Sequence, residues 1–460
     1  MTHLPPDPRL RRRNHQPPAS GRFVLYWMQQ AQRVEENPAL ALAIAEANRL
    51  GLPPVVGFAL SDRYPEANRR HYTFMLEGLR EVAAALADQG IRFVLRLGEP
   101  DRVVLELGRQ AALIVCDRGY LRHQRRWRRA VGGGAQCPVV EVETDVVVPT
   151  GVASDKAEYA ARTLRPKILR QMDRFLQPAG PPLRPVHPSL DLDIAGEDPA
   201  DIPGLLDRLR LAGPVAAVSG WFTGGTGEAR RRFQLFLNRS LDPYAAHAHQ
   251  PQTDHVSMMS PYLHFGQISP VWLARRVREA ECGPESRAAF LEELVVRREL
   301  AVNFVCHTPD YDAYDGLPDW ARETLAAHAA DTRPHLYTPA QLEAGQTHDP
   351  YWNAAMAEMR ATGFMHNYMR MYWGKQVLAW SPSPREAFAT LLALNNRYFL
   401  DGRDPNSYAG VAWIFGRHDR PWPERPVFGK VRAMTASGLR RKCDIEAYVR
   451  KVALRSAASP

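Results

Sequence analysis

The chain has 460 residues, 45% hydrophobic and 24% charged, with a net charge of +9 and a pI near 9.4. That length predicts two or three domains of ordinary globular composition, and without an apolar run of about 18 residues no membrane span is expected. Five scattered cysteines with no C-x-x-C pair argue against a disulfide framework and a zinc site, and the basic balance favours polyanionic partners.

Residues 1–20 are rich in Pro and Arg and lack an apolar core stretch, so they read as a disordered basic arm, not a secretory signal. With cysteines suited to reducing conditions, the expected address is cytoplasmic, nucleoid-associated in a bacterium and nuclear in a eukaryote. Residues 21–150 alternate β-rich runs at 23–30, 54–60, 92–97, 111–117 and 139–144 with helical patterns at 38–50, 67–89 and 101–110. This order predicts a Rossmann-like α/β domain with a parallel sheet, although no G-x-G-x-x-G follows the first strand. Residues 151–214, rich in Pro, Gly and Asp with one helical piece at 156–177, read as an interdomain linker. From 215 to 460 only helical patterns persuade, at 228–238, 270–281, 287–307, 351–359, 364–380 and 384–396. An all-α domain is expected there.

Within that second half, Gly224-Gly225-Thr226-Gly227 resembles a phosphate cradle but lacks a P-loop ending and reads better as a helix-capping turn. Ser257 and Ser260 flank Met258 and Met259 just before Pro261, a first-turn residue, so this segment reads as a helix start able to hold an anion. Asn367 and Arg370, three apart, share a helical face. Trp373 and Trp380 are seven apart, two turns less about 20°, so their indoles point the same way with about 10 Å of rise between them. Leucine packs such a seam without needing a partner for an indole N–H; stacked aromatics also offer a path for single electrons. Asn395 and Asn396 close a helical pattern where an asparagine cap is common. From Arg417 to Lys442 eight basic residues face two acidic ones, a suitable rim for a polyanion.

Three stretches together carry a resemblance: Ser260-Pro261-Tyr262-Leu263-His264-Phe265-Gly266, the run from Gly363-Phe364-Met365-His366-Asn367 to Tyr372-Trp373, and Asp401-Gly402-Arg403-Asp404-Pro405-Asn406. They resemble the flavin domain of the photolyase/cryptochrome family, in detail the class II cyclobutane pyrimidine dimer DNA photolyases. The resemblance implies an α/β antenna-type domain at 21–150 followed by an all-α FAD-binding catalytic domain at 215–460. It also implies a monomer that binds reduced FAD (FADH⁻) and damaged double-stranded DNA, and a carbon–carbon lyase that splits pyrimidine dimers by light. A second chromophore of deazaflavin or folate type is an expectation for the sheet.

Residue by residue, the resemblance implies that Tyr244, Ser257, Met258, Met259, Ser260 and Asn367 bind the cofactor. Arg370 and Asp401 pair beside the isoalloxazine, and Asn395, with Asn406 as its rival, approaches flavin N5. Trp373, Trp352 and Trp380 form the rereducing electron chain. Glu293, with Glu299 as alternative, contacts the lesion; Trp413 stacks on the flipped dimer, Arg420 plugs the vacated duplex, and Arg432, Arg440 and Arg441 face DNA. The loop between Trp413 and His418 is one residue shorter than that pattern. A cryptochrome-like photosensor would share flavin and indoles but usually carries a long C-terminal tail, so a chain stopping at Pro460 is expected to be the enzyme. A flavin-free DNA-binding protein is the remaining alternative.

Overall fold

The structure, a computed structural model, describes residues 7–177, 183–211 and 213–457. Six strands form one sheet: β1 (Leu10–Arg12), β2 (Phe23–Trp27), β3 (Pro54–Leu60), β4 (Arg92–Leu97), β5 (Ala111–Asp117) and β6 (Val139–Val142), in the order β1-β6-β5-β2-β3-β4. All neighbours are parallel except β1 on β6. Strand β2 is buried on both faces, as a doubly covered parallel sheet requires. Val24 and Tyr26 pack under α1 (Pro38–Leu50) and α2 (Arg69–Ala87), whereas Phe23, Leu25 and Trp27 pack under α3 (Pro100–Gly108) and α4 (Arg122–Gly134). The chain runs from β2 through β3 and β4 on one side, then returns to β5 on the other. This leaves a topological switch beside the carboxyl end of β2, where ligands of such sheets bind.

The predicted strands at 54–60, 92–97 and 111–117 keep their bounds. The first ends at Trp27, not Gln30, because the buried Asp117 carboxylate accepts the Gln29, Gln30 and Ala31 N–H groups and bends the chain. Part of the expected disordered arm is ordered: β1 pairs with β6, and the Arg9 guanidinium donates to the Glu143, Val146 and Val147 carbonyls at 3.2, 3.0 and 2.7 Å. Met1–Pro6 lie outside the described residues.

The 151–214 segment is not a free linker. Leu164, Ile168 and Met172 from the Ala161–Phe175 helix join a core of the helical domain, while Leu205, Leu206 and Leu209 join the sheet's core. Pro178, Pro181 and Pro182 lie outside the described residues. The domains dock through buried Arg70 on α2, which donates to the carbonyls of Met359, Arg360 and Tyr398 at 3.1, 2.5 and 2.7 Å. Those carbonyls end two helices, Pro350–Thr362 and Pro384–Tyr398, where a cation meets both orphan acceptors and the negative end of the helix dipole.

Beyond residue 215 the described residues form helices and no strand. The single helix expected at 287–307 is interrupted: Pro284–Leu291 and Arg298–His307 are α-helical, with a π-helical turn at Glu292–Arg297 between them. The Pro384–Tyr398 helix runs past Asn395 and Asn396, so both asparagines are buried inside it and neither is a cap. The Gly-rich turn is structural: its Gly224 and Gly227 N–H groups donate to Glu77 and Glu81 of α2 at 2.7 and 2.9 Å, filling the place a phosphate would take.

Candidate functional site

Two cores of the helical domain come together just before the Asn367–Trp380 helix, where Met365 belongs to one and Phe364 packs on the other. Gly363, left-handed at φ 72°, ends the preceding helix, and the His366 side chain accepts the Tyr368 N–H to start the next. One turn in, Arg370 forms a bidentate pair with Asp401 at 3.0 and 3.0 Å, donates to the Met365 carbonyl, and lies 3.9 Å over the Phe399 ring. The pair is mostly buried, 19% and 10% exposed, so it is not a solvated surface contact. Asn395 sits next to it: its amide donates to Ser407 Oγ at 2.8 Å, and the same hydroxyl donates to the Asp401 carbonyl at 3.0 Å. Asn406 is elsewhere. It lines a cavity between the domains with Arg298 and Tyr64, and its amide donates to Asp404 at 2.9 Å.

The three indoles come together. Trp373 and Trp352 are near-parallel, 6.4 Å apart with a 14° interplanar angle, and Trp352 meets Trp380 edge-on at 5.7 Å. The Trp352 N–H donates to the Trp373 carbonyl at 2.9 Å, which locks the ladder's centre. Asp349 caps the Pro350–Thr362 helix and also accepts the Tyr372 hydroxyl, joining the two helices that carry the indoles. At the near end Trp373 touches Phe399, the ring under Arg370, at 6.1 Å. At the far end Trp380 packs on Tyr337 and His348.

The opposing core contributes Tyr244, Met259 and Phe290, with Met258 and Phe364 packed at its edge. Met258 holds a left-handed φ of 54°. Ser260 opens the short Ser260–His264 helix and Met259 takes its cap position, so the backbone, not a serine hydroxyl, makes this turn. Among the described residues the Ser257 and Ser260 hydroxyls, the Tyr244 phenol and the Asn367 amide make no side-chain hydrogen bond, and the buried Trp373 N–H has no partner. Uncommitted hydroxyl and amide groups of this kind have the chemistry that the polar groups and diphosphate of FAD would need.

A third group lies on the π turn. Glu293 is half exposed and pairs loosely with Arg297 at 3.8 Å; burial and the neighbouring Glu292 push its carboxyl above the usual range. Arg297 lies 5.2 Å over the Trp413 ring. Glu299 is set apart: its buried carboxylate accepts the Val147 and Val148 N–H groups at 2.6 and 3.2 Å, and burial raises it to about 8. Its structural task explains why it does not reach Trp413. The shortened loop is closed by Gly416 and His418 at positive φ, and His418 bonds the Tyr159 carbonyl at 2.9 Å. Arg420 is exposed, and with Arg432 it sandwiches Trp422, at 5.5 and 5.0 Å. Arg441 is exposed beside them, whereas Arg440 is partly committed to the Tyr351 hydroxyl at 2.8 Å.

Sequence reasoning expected a second ligand at the sheet but named none of the residues that would line its site. At the carboxyl ends of β2 and β3 a cavity is lined by Gln29, Gln32, Tyr64, Trp127, His264 and Arg403, among others. Four buried polar atoms of its lining have no partner: Gln29 Nε2, Gln32 Oε1, Trp127 Nε1 and Arg403 Nε. Buried polar groups are normally satisfied, so such a concentration marks a polar ligand's place. The available signal was Gln29-Gln30-Ala31-Gln32 directly after the first parallel strand, at the switch point.

Residues 24–186 match the family model described as DNA photolyase. A deoxyribodipyrimidine photo-lyase of Methanothermobacter thermautotrophicus is 46% identical over 438 residues, covering 95% of this chain and 96% of that protein. A class III photolyase from Agrobacterium tumefaciens superposes with a TM-score of 0.75 at 18% identity, covering 94% and 87%. An archaeal photolyase from Sulfolobus tokodaii with two FAD molecules does so at 0.69 and 15%, covering 94% and 92%.

Proposed function

From the chain's membership of the DNA photolyase family, we propose that it repairs cyclobutane pyrimidine dimers in double-stranded DNA by light-driven electron transfer from reduced FAD. The observation that carries this reading is the ladder Trp373–Trp352–Trp380, whose near end adjoins the Arg370–Asp401 pair. When bound, FADH⁻ supplies one electron on excitation and receives it back after the ring opens, so no net redox occurs.

This chain's residues do the rest. Tyr244, Ser257, Met258, Met259, Ser260 and Asn367 bind the cofactor's polar groups, and Arg370 places positive charge where an anionic reduced ring needs it. Asp401 fixes the Arg370 fork, and Asn395, held by Ser407, offers its amide to flavin N5. Trp413 stacks under the swung-out pyrimidines and Glu293 hydrogen-bonds their edges, while Arg420 fills the duplex they leave. Arg432, Arg440 and Arg441 hold phosphates, so affinity falls steeply with salt. Such an enzyme works as a monomer wherever its DNA lies. Among the described residues no helix is long and apolar enough to cross a membrane.

The interdomain cavity holds a second, antenna chromophore of deazaflavin or folate type, its polar edge meeting Arg403 and the glutamines. Repair of an oligonucleotide with one defined thymine dimer, with and without illumination, tests the function. Light-independent repair, or none in either condition, sinks it; flavin photoreduction without repair favours a cryptochrome-like photosensor.

A further inference from the structure

Arg297 lies over Trp413 and beside Glu293, the two residues proposed above to meet the flipped pyrimidines. Its guanidinium lies over the indole at 5.2 Å, and its Nε is 3.3 Å from Glu292 and 3.8 Å from Glu293. Glu292 is already committed, because Arg165 grips both its oxygens at 2.8 and 2.7 Å. Only Nε of Arg297 meets a carboxylate; its two Nη groups make no hydrogen bond among the described residues. The fork is therefore anchored at its stem and free at its tips. The side chain is 35% exposed, so an extruded pyrimidine pair can reach it from solvent without rearranging the core.

We propose that Arg297 is a catalytic residue of the splitting step, its free Nη groups donating to carbonyl oxygens of the flipped pyrimidine pair. The inference rests on the dimer-repair reading above. In that reaction the pair takes up one electron, loses its two cyclobutane carbon–carbon bonds and returns the electron, with no proton or other reactant consumed. While the extra electron is on the pair, negative charge builds on the carbonyl oxygens. A guanidinium aimed at them lowers the energy of that state, and so gives bond cleavage time to outrun premature return of the electron. Lysine keeps the charge and loses the fork; methionine keeps the length and loses both.

The test uses full-length, flavin-loaded protein reduced before illumination, with Arg297→Met and Arg297→Lys beside the unaltered chain. Three quantities are read: affinity for dimer-containing and intact duplex, excited-flavin lifetime with dimer bound, and dimers split per absorbed photon at saturating DNA. Arg297→Met is expected to keep the shortened lifetime but split about tenfold fewer dimers per photon, less than in an enclosed oxyanion site because Arg297 is partly exposed. Arg297→Lys should recover part of that loss. An unchanged yield at saturation in Arg297→Met overturns the proposal, as does an equal loss of affinity for damaged and intact DNA with the yield preserved. If the unaltered chain splits no dimer, the functional reading and this inference fall together; if it does and Arg297→Met matches it, only Arg297 falls.

Discussion

Two arginines thirty-three residues apart in sequence, one mostly and one fully buried, are partnered in opposite ways. Arg370 in the helical domain is matched by a bidentate carboxylate, Asp401. Arg403, fully buried at the domain interface and left-handed at φ 66°, has no carboxylate within ion-pair distance among the described residues. Its Nη1 contacts His71 and the Asn396 carbonyl at 2.9 Å each, its Nε is unpartnered, and burial pushes the guanidinium below its usual range. The first arrangement holds a fixed dipole against a ligand and tolerates an empty site. The second leaves a charge that a bound molecule must satisfy. A buried cation costs several kcal/mol unless compensated, so Arg403 records the ligand more directly than Arg370 does.

Four experiments break or sharpen that contrast. Arg370→Leu strands the buried Asp401 carboxylate and should cost about 3–5 kcal/mol in denaturant unfolding, together with most of the bound flavin. A loss below about 1 kcal/mol would demote the pair to an ordinary solvated contact. Trp373→Phe removes the ladder's near rung, so photoreduction of oxidised flavin by an external donor should slow by an order of magnitude or more, read from bleaching of the flavin band. A rate equal to that of the unaltered chain would route electrons elsewhere.

Arg403→Met should weaken the second chromophore by about 1.5–3 kcal/mol, roughly tenfold or more in Kd, while flavin content stays level. The chromophore ratio released on denaturation measures it, and parallel loss of both would mean the two cavities are one cooperative unit.

A pH-dependent effect lies at the join between the domains. Burial raises the Glu299 carboxyl from 4.5 to about 8. Between those values the folded chain keeps a proton that the unfolded chain has released, so this contribution is complete below 4.5 and is lost as pH climbs towards 8. Glu299→Gln should flatten the fall in unfolding midpoint across that window. An unaltered slope would assign the pH dependence to other groups.

Much of the α/β half was readable along the chain because parallel strands announce themselves. Runs such as Ala-Ala-Leu-Ile-Val-Cys-Asp at 111–117 are apolar on both faces whatever lies around them. The Arg122–Gly134 helix escaped notice because its arginines hide its apolar stripe: Trp127 and Val131 are buried, and Arg128 turns inward to Glu141 at 2.8 Å. The Asn395-Asn396 pair has the local look of a helix end, since asparagine often caps helices, but the helix runs on to Tyr398 and buries Asn395 beside Ser407. Glu293 and Glu299 were indistinguishable in one dimension. The π turn and the Val147–Val148 backbone separate them, leaving one carboxyl at the mouth and the other locked inside.

The amino-acid order alone determined the two-domain plan and the seven-residue indole spacing, because periodicity is a local property that survives without neighbours; the pairing of Arg370 with Asp401, thirty-one residues apart, followed only from the family resemblance. Only the folded chain decided that Glu299 is locked inside while Glu293 stays half exposed beside Arg297, that Arg297 covers Trp413, and that Gln29, Gln32, Trp127 and Arg403 converge on one cavity. Those relations arise between segments up to hundreds of residues apart, where packing and the demand that buried polar atoms find partners, not local preference, set the outcome.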